Sequence, residues 1–271
     1  MILLNADDFG ASSAVNQAVI RAHQAGSLHS ASLMMGGIAA QEAVELAKKN
    51  PALRIGIHLT AVDGKAVLNP AEIPLIVDKE GNFPNNPAVT WIKYLFNPKA
   101  SEQMQKEIKA QFEAFQKIGL KLSHVDGHHH QHIHPKIFNL AVEMGKELGA
   151  KWIRVPREDL TIWRKTPTQK QFWKAAHGKI YHWLTRGMKQ KLEKEGFFIF
   201  DSVFGLLETF SLTSEYVLSL LEMNLNGSHE LYFHPGANWN HDLEILLNSK
   251  IIEKIKSHPN ILTDLESKII P

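Results

Sequence analysis

Short apolar runs alternate with segments of helical period along most of this chain. The runs "ILLN" (2–5), "LHSASLMM" (28–35), "LRIGIHLT" (53–60), "LSHVD" (122–126), "KWIRVP" (151–156), "FFIFD" (197–201), "ELYFH" (230–234) and "NILTDL" (260–265) read as strands. Between most of them lie segments such as "SAVNQAVIRAHQAG" (13–26), which predicts a helix with Ser12 or Ser13 as N-cap and Gly26 just past its end. Eight such alternations predict an α/β fold, a TIM-like (β/α) barrel, regular or distorted, as a single domain over 1–271. An open doubly wound sheet is the alternative.

The alternation stops after Thr60. From about 61 to 100 the chain is rich in Pro, Gly and Asn, and it is far longer than an ordinary strand–helix connection. The expectation is a lid-like insertion over the site, with Trp91, Tyr94 and Phe96 as contacts; a peripheral subdomain is the other reading. A second departure spans Thr161 to Leu192, with eight Lys or Arg, no Asp or Glu, and three of the six tryptophans. Trp173, Ile180, Leu184 and Met188 recur at helical spacing there, which predicts a basic amphipathic helix. It would serve either as a peripheral membrane contact or as an outer barrel helix.

Composition narrows the chemistry. A length of 271 residues with 44% hydrophobic content suits one sizeable core. Lys and Arg (30) nearly balance Asp and Glu (28), so nothing global argues for nucleic acid. With no cysteine, a bound metal would rest on His and carboxylate. The opening "MILLNADDFG" meets two acids too early for a signal peptide or a membrane span, which predicts a cytoplasmic protein.

Several apolar strands run into a reactive group at their C-terminal ends: Asp7 and Asp8, His58, Asp126 and His128, Arg154, and His234. In a parallel barrel such ends converge on the catalytic face. Each has a plain alternative, among them a capped turn at "ADDFG", a core histidine at His58 and a structural ion pair at Arg154. The stretch "HVDGHHHQHIHP" (124–135) holds six of the fifteen histidines. If it continues extended, His128, His130, His132 and His134 share one face. One metal seldom takes four imidazoles from one short segment, so one or two would be ligands and the others would line a substrate pocket.

"NADDFG", "GIHL", "HVDGHHHQHIHP" and "HPG" in this order resemble the YdjC-like carbohydrate deacetylase family over nearly the whole chain. The "HLTAVDGKAVLNPAEIPLIVDKEGNFP" and "RVPRE" segments look most like its hopanoid-biosynthesis-associated (HpnK) branch. The resemblance implies a TIM-like barrel with one divalent metal, Mg or Zn, that removes the N-acetyl group from an N-acetylglucosamine-type sugar. It makes Asp8, His58 and His128 the metal ligands and Asp7 the catalytic base. Analogy with other deacetylases gives Arg154 the task of orienting Asp7 and His234 that of acid. His130, His132, Asp126 and Trp91 would contact substrate. Where the family often has Ser, this chain has Gly127, which is expected to add backbone freedom.

The partner is then an acetylated amino sugar, either carried by a hopanoid lipid or a soluble chito-oligosaccharide, with room for membrane association and for a homodimer. From other classes, a barrel metallophosphoesterase and a non-catalytic metal- or sugar-binding protein stay open, although no N-terminal His-x-His pair for a two-metal site is present.

Overall fold

The N-terminal strand runs further than its apolar residues: β1 spans Ile2–Phe9 and carries Asn5, Asp7 and Asp8 within it. A computed structural model describes residues 1–257 except 170, 210 and 237–240. Six more strands follow, β2 (Ser30–Leu33), β3 (Arg54–Leu59), β4 (Leu122–Gly127), β5 (Trp152–Ile153), β6 (Ser202–Phe204) and β7 (His229–Phe233). They form one sheet of order β5-β4-β3-β2-β1-β7-β6. Read from β6 through β7 and β1 to β5, this order follows the chain cyclically, as a barrel does; a doubly wound sheet would reverse at a switch point. The fold is therefore α/β, a TIM-like barrel arrangement of seven strands.

One strand expectation needs correction, and another, the eighth strand at 260–265, lies outside the described residues. Among the described residues β1 pairs directly with β7 from Ile2↔His229 to Ala6↔Phe233. The sixth strand is not "FFIFD": the ladder forms at Ser202↔His229 through Phe204↔Leu231. Phe197 and Phe200 are buried without belonging to it, because an apolar run reports burial and not pairing.

Contacts cluster into two compact units. The first comprises Met1–Asp7, Gln17–Ala31 and the chain from Arg154 on; the second comprises Asp8–Asn16 and Ser32–Ile153. In the second unit β3 and β4 pair in parallel, and helices α4 (Pro98–Lys117) and α5 (Pro135–Glu147) supply buried Ile108, Phe112, Ile137 and Ala141. Helix α1 (Ser13–Ala25) starts as expected, with Ser12 Oγ accepting from Val15 N–H at 3.3 Å, and in the second unit α2 (Ala40–Lys49) precedes β3.

The 61–100 insertion is more ordered than a loop. It holds helix α3 (Pro87–Phe96), capped by Asn86, whose side chain accepts from Val89 N–H, and Asn97 caps α4 in the same way. Tyr94 is buried and donates to Ala61 O at 2.8 Å, and Glu107 of α4 accepts from Val67 and Leu68 N–H. Burial pushes the Tyr94 phenol up and raises the Glu107 carboxyl above its ordinary range.

The basic segment is broken into α6 (Leu160–Trp163), α7 (Phe172–Leu184) and α8 (Met188–Lys194), with Gly187 at φ 85° between the last two. Of the expected apolar stripe, Met188 on α8 is buried and Leu184 half-buried, while Trp173 and Ile180 are exposed. In α7 the buried residues are Lys174 and Gly178, while Phe172, Trp173, Ile180 and Trp183 are 88%, 59%, 54% and 69% exposed. No helix among the described residues is long and apolar enough to cross a membrane.

Candidate functional site

In the second unit, Asp8, His58 and His128 offer one ligand atom each, all within 4.8 Å of one another. Asp8 Oδ1 lies 3.3 Å from His58 Nε2 and 2.9 Å from His128 Nδ1. Asp8 sits in the left-handed region at φ 64°, a conformation that Asp tolerates and that concentrates at functional sites.

A chain of buried hydrogen bonds fixes which nitrogen His58 presents. Its Nδ1 is 2.7 Å from Asp126 Oδ1, and a carboxylate can only accept, so Nδ1 carries a proton and, in the neutral ring that binds a cation, Nε2 holds the lone pair. Asp126 Oδ2 takes the Ser32 hydroxyl proton at 2.6 Å. Ser32 Oγ, its proton committed, accepts from His124 Nε2 at 2.9 Å, which leaves His124 Nδ1 to accept from Ser123 Oγ at 2.7 Å. The His124 ring stacks on Trp152 at 4.4 Å and 8°, over the space left by Gly56, where an added Cβ would fall 2.3 Å from the ring. A carboxylate behind the imidazole, with Nε2 facing a second carboxylate, is the support that metal-ligating histidines use. One carboxylate and two imidazoles therefore fit a divalent cation, and better a transition ion such as zinc than magnesium.

In the first unit, Arg154, just after β5, donates from Nη1 to Asp7 Oδ2 and from Nη2 to Asp7 Oδ1, both at 2.7 Å. Asn5 Nδ2, on the same strand face as Asp7 by the two-residue period, donates to Oδ1 at 2.9 Å. Arg154 also donates to Glu230 Oε1 from Nε (2.9 Å) and Nη2 (2.6 Å), and its guanidinium lies 4.7 Å from the Tyr232 ring centre. Asn5, Asp7, Arg154, Glu230 and Tyr232 are all buried, and burial holds the Tyr232 phenol well above its ordinary value. His234 follows β7 with its ring edge-on to Tyr232 at 5.6 Å, and Asp242 Oδ2 accepts its backbone N–H.

The histidine stretch departs from the extended form expected of it. Residues 128–133 form a 3₁₀ turn in which His129 (φ 48°) and His130 (φ 55°) are left-handed, so the even-numbered histidines do not share a strand face. The turn folds back on β4: a Cβ at Gly127 would meet Leu59 O at 2.9 Å and the His132 Cβ at 3.1 Å. Gly127 is extended (φ −171°), so close approach and not backbone freedom is what its lack of a side chain permits.

Asp126 and His132, both expected to contact substrate, are fully buried, and the two Asp126 oxygens serve His58 and Ser32. His130 is also buried, its ring 6.0 Å from that of His132. Trp91 is half-buried and meets His134 edge-on at 5.0 Å. Sequence reasoning passed over Asn5, Ser32, His124 and Glu230; the two-residue period linking Asn5 to Asp7 is the signal that was available for the first.

A family model described as YdjC-like protein matches residues 1–257. The chain belongs to the YdjC-like family. Among curated relatives, a "Carbohydrate deacetylase" of Oceanobacillus iheyensis is 37% identical over 144 residues, covering 53% of this chain and 60% of that protein. One of Vibrio parahaemolyticus is 38% identical over 146 residues, covering 54% and 55%. This YdjC-like chain thus spans little more than half the length of the curated relatives it matches. A solved structure from Enterococcus faecalis V583, described as a candidate cellobiose-phosphate cleavage protein, aligns over 98% of each chain with a TM-score of 0.71 at 24% identity, a likeness of fold.

Proposed function

We propose that this YdjC-like chain hydrolyses the N-acetyl group of an N-acetylglucosamine-type sugar, with one divalent cation held by Asp8, His58 and His128. The observation that carries the reading is the line from Asp126 through His58 to Asp8, a ligand set with its own buried support. The deacetylase names of relatives matching about half of the chain agree with it. A cation bound there supplies Lewis acidity, polarising the acetyl carbonyl and making water more acidic.

The residues of the chain divide the remaining work. Asp7 takes a proton from the attacking water, and Oδ2, which among the described residues accepts from Arg154 alone, has the more open lone pair for it. Arg154 holds that carboxylate in one orientation. His234 gives a proton to the amine as the C–N bond breaks, and the products are acetate and the free amino sugar.

Within the family we favour the hopanoid-associated branch and a lipid-linked sugar over a soluble chito-oligosaccharide. The support is α7, whose outward Phe172, Trp173, Ile180 and Trp183 lie in a segment with basic and no acidic residues, the composition that seats a helix on an anionic lipid surface. Acetate release from an N-acetylglucosaminyl hopanoid and from a chito-oligosaccharide is the test. Preference for the lipid supports the full reading; preference for the soluble sugar keeps the chemistry and removes the branch; acetate from neither overturns the deacetylase.

A further inference from the structure

Beside the ligand set already described lies a second group in the same unit. Asp63, His128 and His129 also bring a carboxylate oxygen and two ring nitrogens within 4.8 Å of one another. Asp63 Oδ2 is 3.3 Å from His129 Nε2, and the His128 and His129 rings meet edge-on at 4.4 Å.

Backbone conformation independently marks the same residues. Among the described residues, the non-glycine positions at positive φ are Asp8 (64°), Asp63 (45°), His129 (48°) and His130 (55°). Three of the four are members of the two ligand groups, and left-handed backbone of this kind persists only where the surroundings impose it. The strain is held in place. Asp63 N–H donates to Pro84 O at 3.0 Å, and Gly64 O accepts from Phe83 N–H at 2.8 Å, so the turn that presents Asp63 is pinned to the insertion. The side chains of Asp63 and His129 are 53% and 33% exposed, which leaves room for water to complete a cation's coordination.

We propose that Asp63, His129 and His128 form a second divalent-cation site, open to solvent and weaker than the first. Two imidazoles and a carboxylate again suit zinc, cobalt or nickel. The two sites share His128, and a neutral imidazole has a single lone pair, so the second cation binds at the expense of the His128 bond to the first. Occupancy is therefore biphasic, and excess metal draws His128 away from Asp8 and His58. This inference concerns cation binding and stands whether or not the chain is a deacetylase.

Chelator-stripped protein titrated with cobalt(II), followed by calorimetry and by the visible absorption of the ion, tests it. The wild type is expected to bind two cobalt ions, the second at least tenfold more weakly. Asp63→Asn and, separately, His129→Ala remove the weak phase and keep the tight one; both side chains face solvent, so folding is expected to survive, and circular dichroism checks that it does. A single phase in the wild type, or a second phase that persists in both variants, overturns the site.

Discussion

Arg154 grips Asp7 through two parallel hydrogen bonds of 2.7 Å, with both residues buried. The same guanidinium serves Glu230, so one cation answers two buried carboxylates. Asp7→Asn removes the proposed base and leaves the separate Asp8, His58 and His128 set intact. Turnover is expected to fall by about 10²–10⁴-fold, the ordinary worth of a positioned base, while cation affinity stays the same. Full turnover in Asp7→Asn would sink the mechanism. Arg154→Met strands Asp7 and Glu230 together, and a broken buried ion pair costs roughly 3–5 kcal/mol of stability; chemical denaturation measures it.

In the proposed site, Asp126 would act on a cation through His58, whose Nδ1 it holds at 2.7 Å. Asp126→Ala frees the His58 ring to turn and to change its protonated nitrogen, so cation affinity is expected to drop by about 10–100-fold, the usual effect of losing such a supporting partner. Equilibrium dialysis against zinc reads this directly. An unchanged affinity would show that His58 is oriented by packing alone.

Gly56 protects the far end of the same hydrogen-bonded chain. A methyl group there collides with the His124 ring, on which Trp152 is stacked, and overpacking of this kind costs about 1–3 kcal/mol. Gly56→Ala is expected to lower the unfolding midpoint and weaken zinc binding together. A change in stability with zinc affinity intact would separate His124 from the cation site.

Why some of this was legible in the sequence and some was not has a physical basis. Strand periodicity located β1, β3, β4 and β7, because buried parallel strands are near-continuous apolar runs. It therefore also flagged the polar residues that interrupt them, Asp7, Asp8, His58, Asp126 and Arg154. Partners 76 or 94 residues apart, as Arg154 is from Glu230 and Ser32 from Asp126, leave no local trace. The histidine stretch misled for a related reason: alternation implies a shared face only if the backbone stays extended, and two consecutive left-handed residues end that condition. Helix α7 misled by counting apolar residues at the right spacing without revealing which face the fold would cover.

His134 has a structural task that carries a pH signature. It caps α5 by accepting from Lys136 N–H, and its ring lies between Trp91 at 5.0 Å and Tyr94 at 6.2 Å. Burial, with Lys136 nearby, pulls its pKa from 6.5 down to about 4. The folded state thus resists a proton that the unfolded chain accepts. The stability tied to neutral His134 is fully present above pH 6.5 and is lost as pH falls toward 4. His134→Asn keeps a capping acceptor and removes the titration. Its unfolding midpoint is expected to be lower at pH 7.5, with a shallower loss between pH 6.5 and 4; an unchanged slope would exclude His134 as the source.

Helix α7 inverts the usual amphipathic rule, with Lys174 buried against Glu208 and its large apolar residues facing out. Leaving Trp173 and Trp183 in water forgoes about 1.5–3 kcal/mol for each large side chain that could be covered. Lys179 on α7 and Arg186 and Lys189 just beyond it each add about 1 kcal/mol near an anionic leaflet. Vesicles containing phosphatidylserine are therefore expected to sediment the protein, and vesicles of phosphatidylcholine alone much less so, with binding that weakens as salt is raised. Trp173→Ser with Trp183→Ser, both at exposed positions, is expected to abolish sedimentation without shifting the unfolding midpoint. Equal binding to neutral and anionic vesicles, or anionic binding that survives the double substitution, would remove the lipid surface as the partner of this helix and with it the structural support for a lipid-linked substrate.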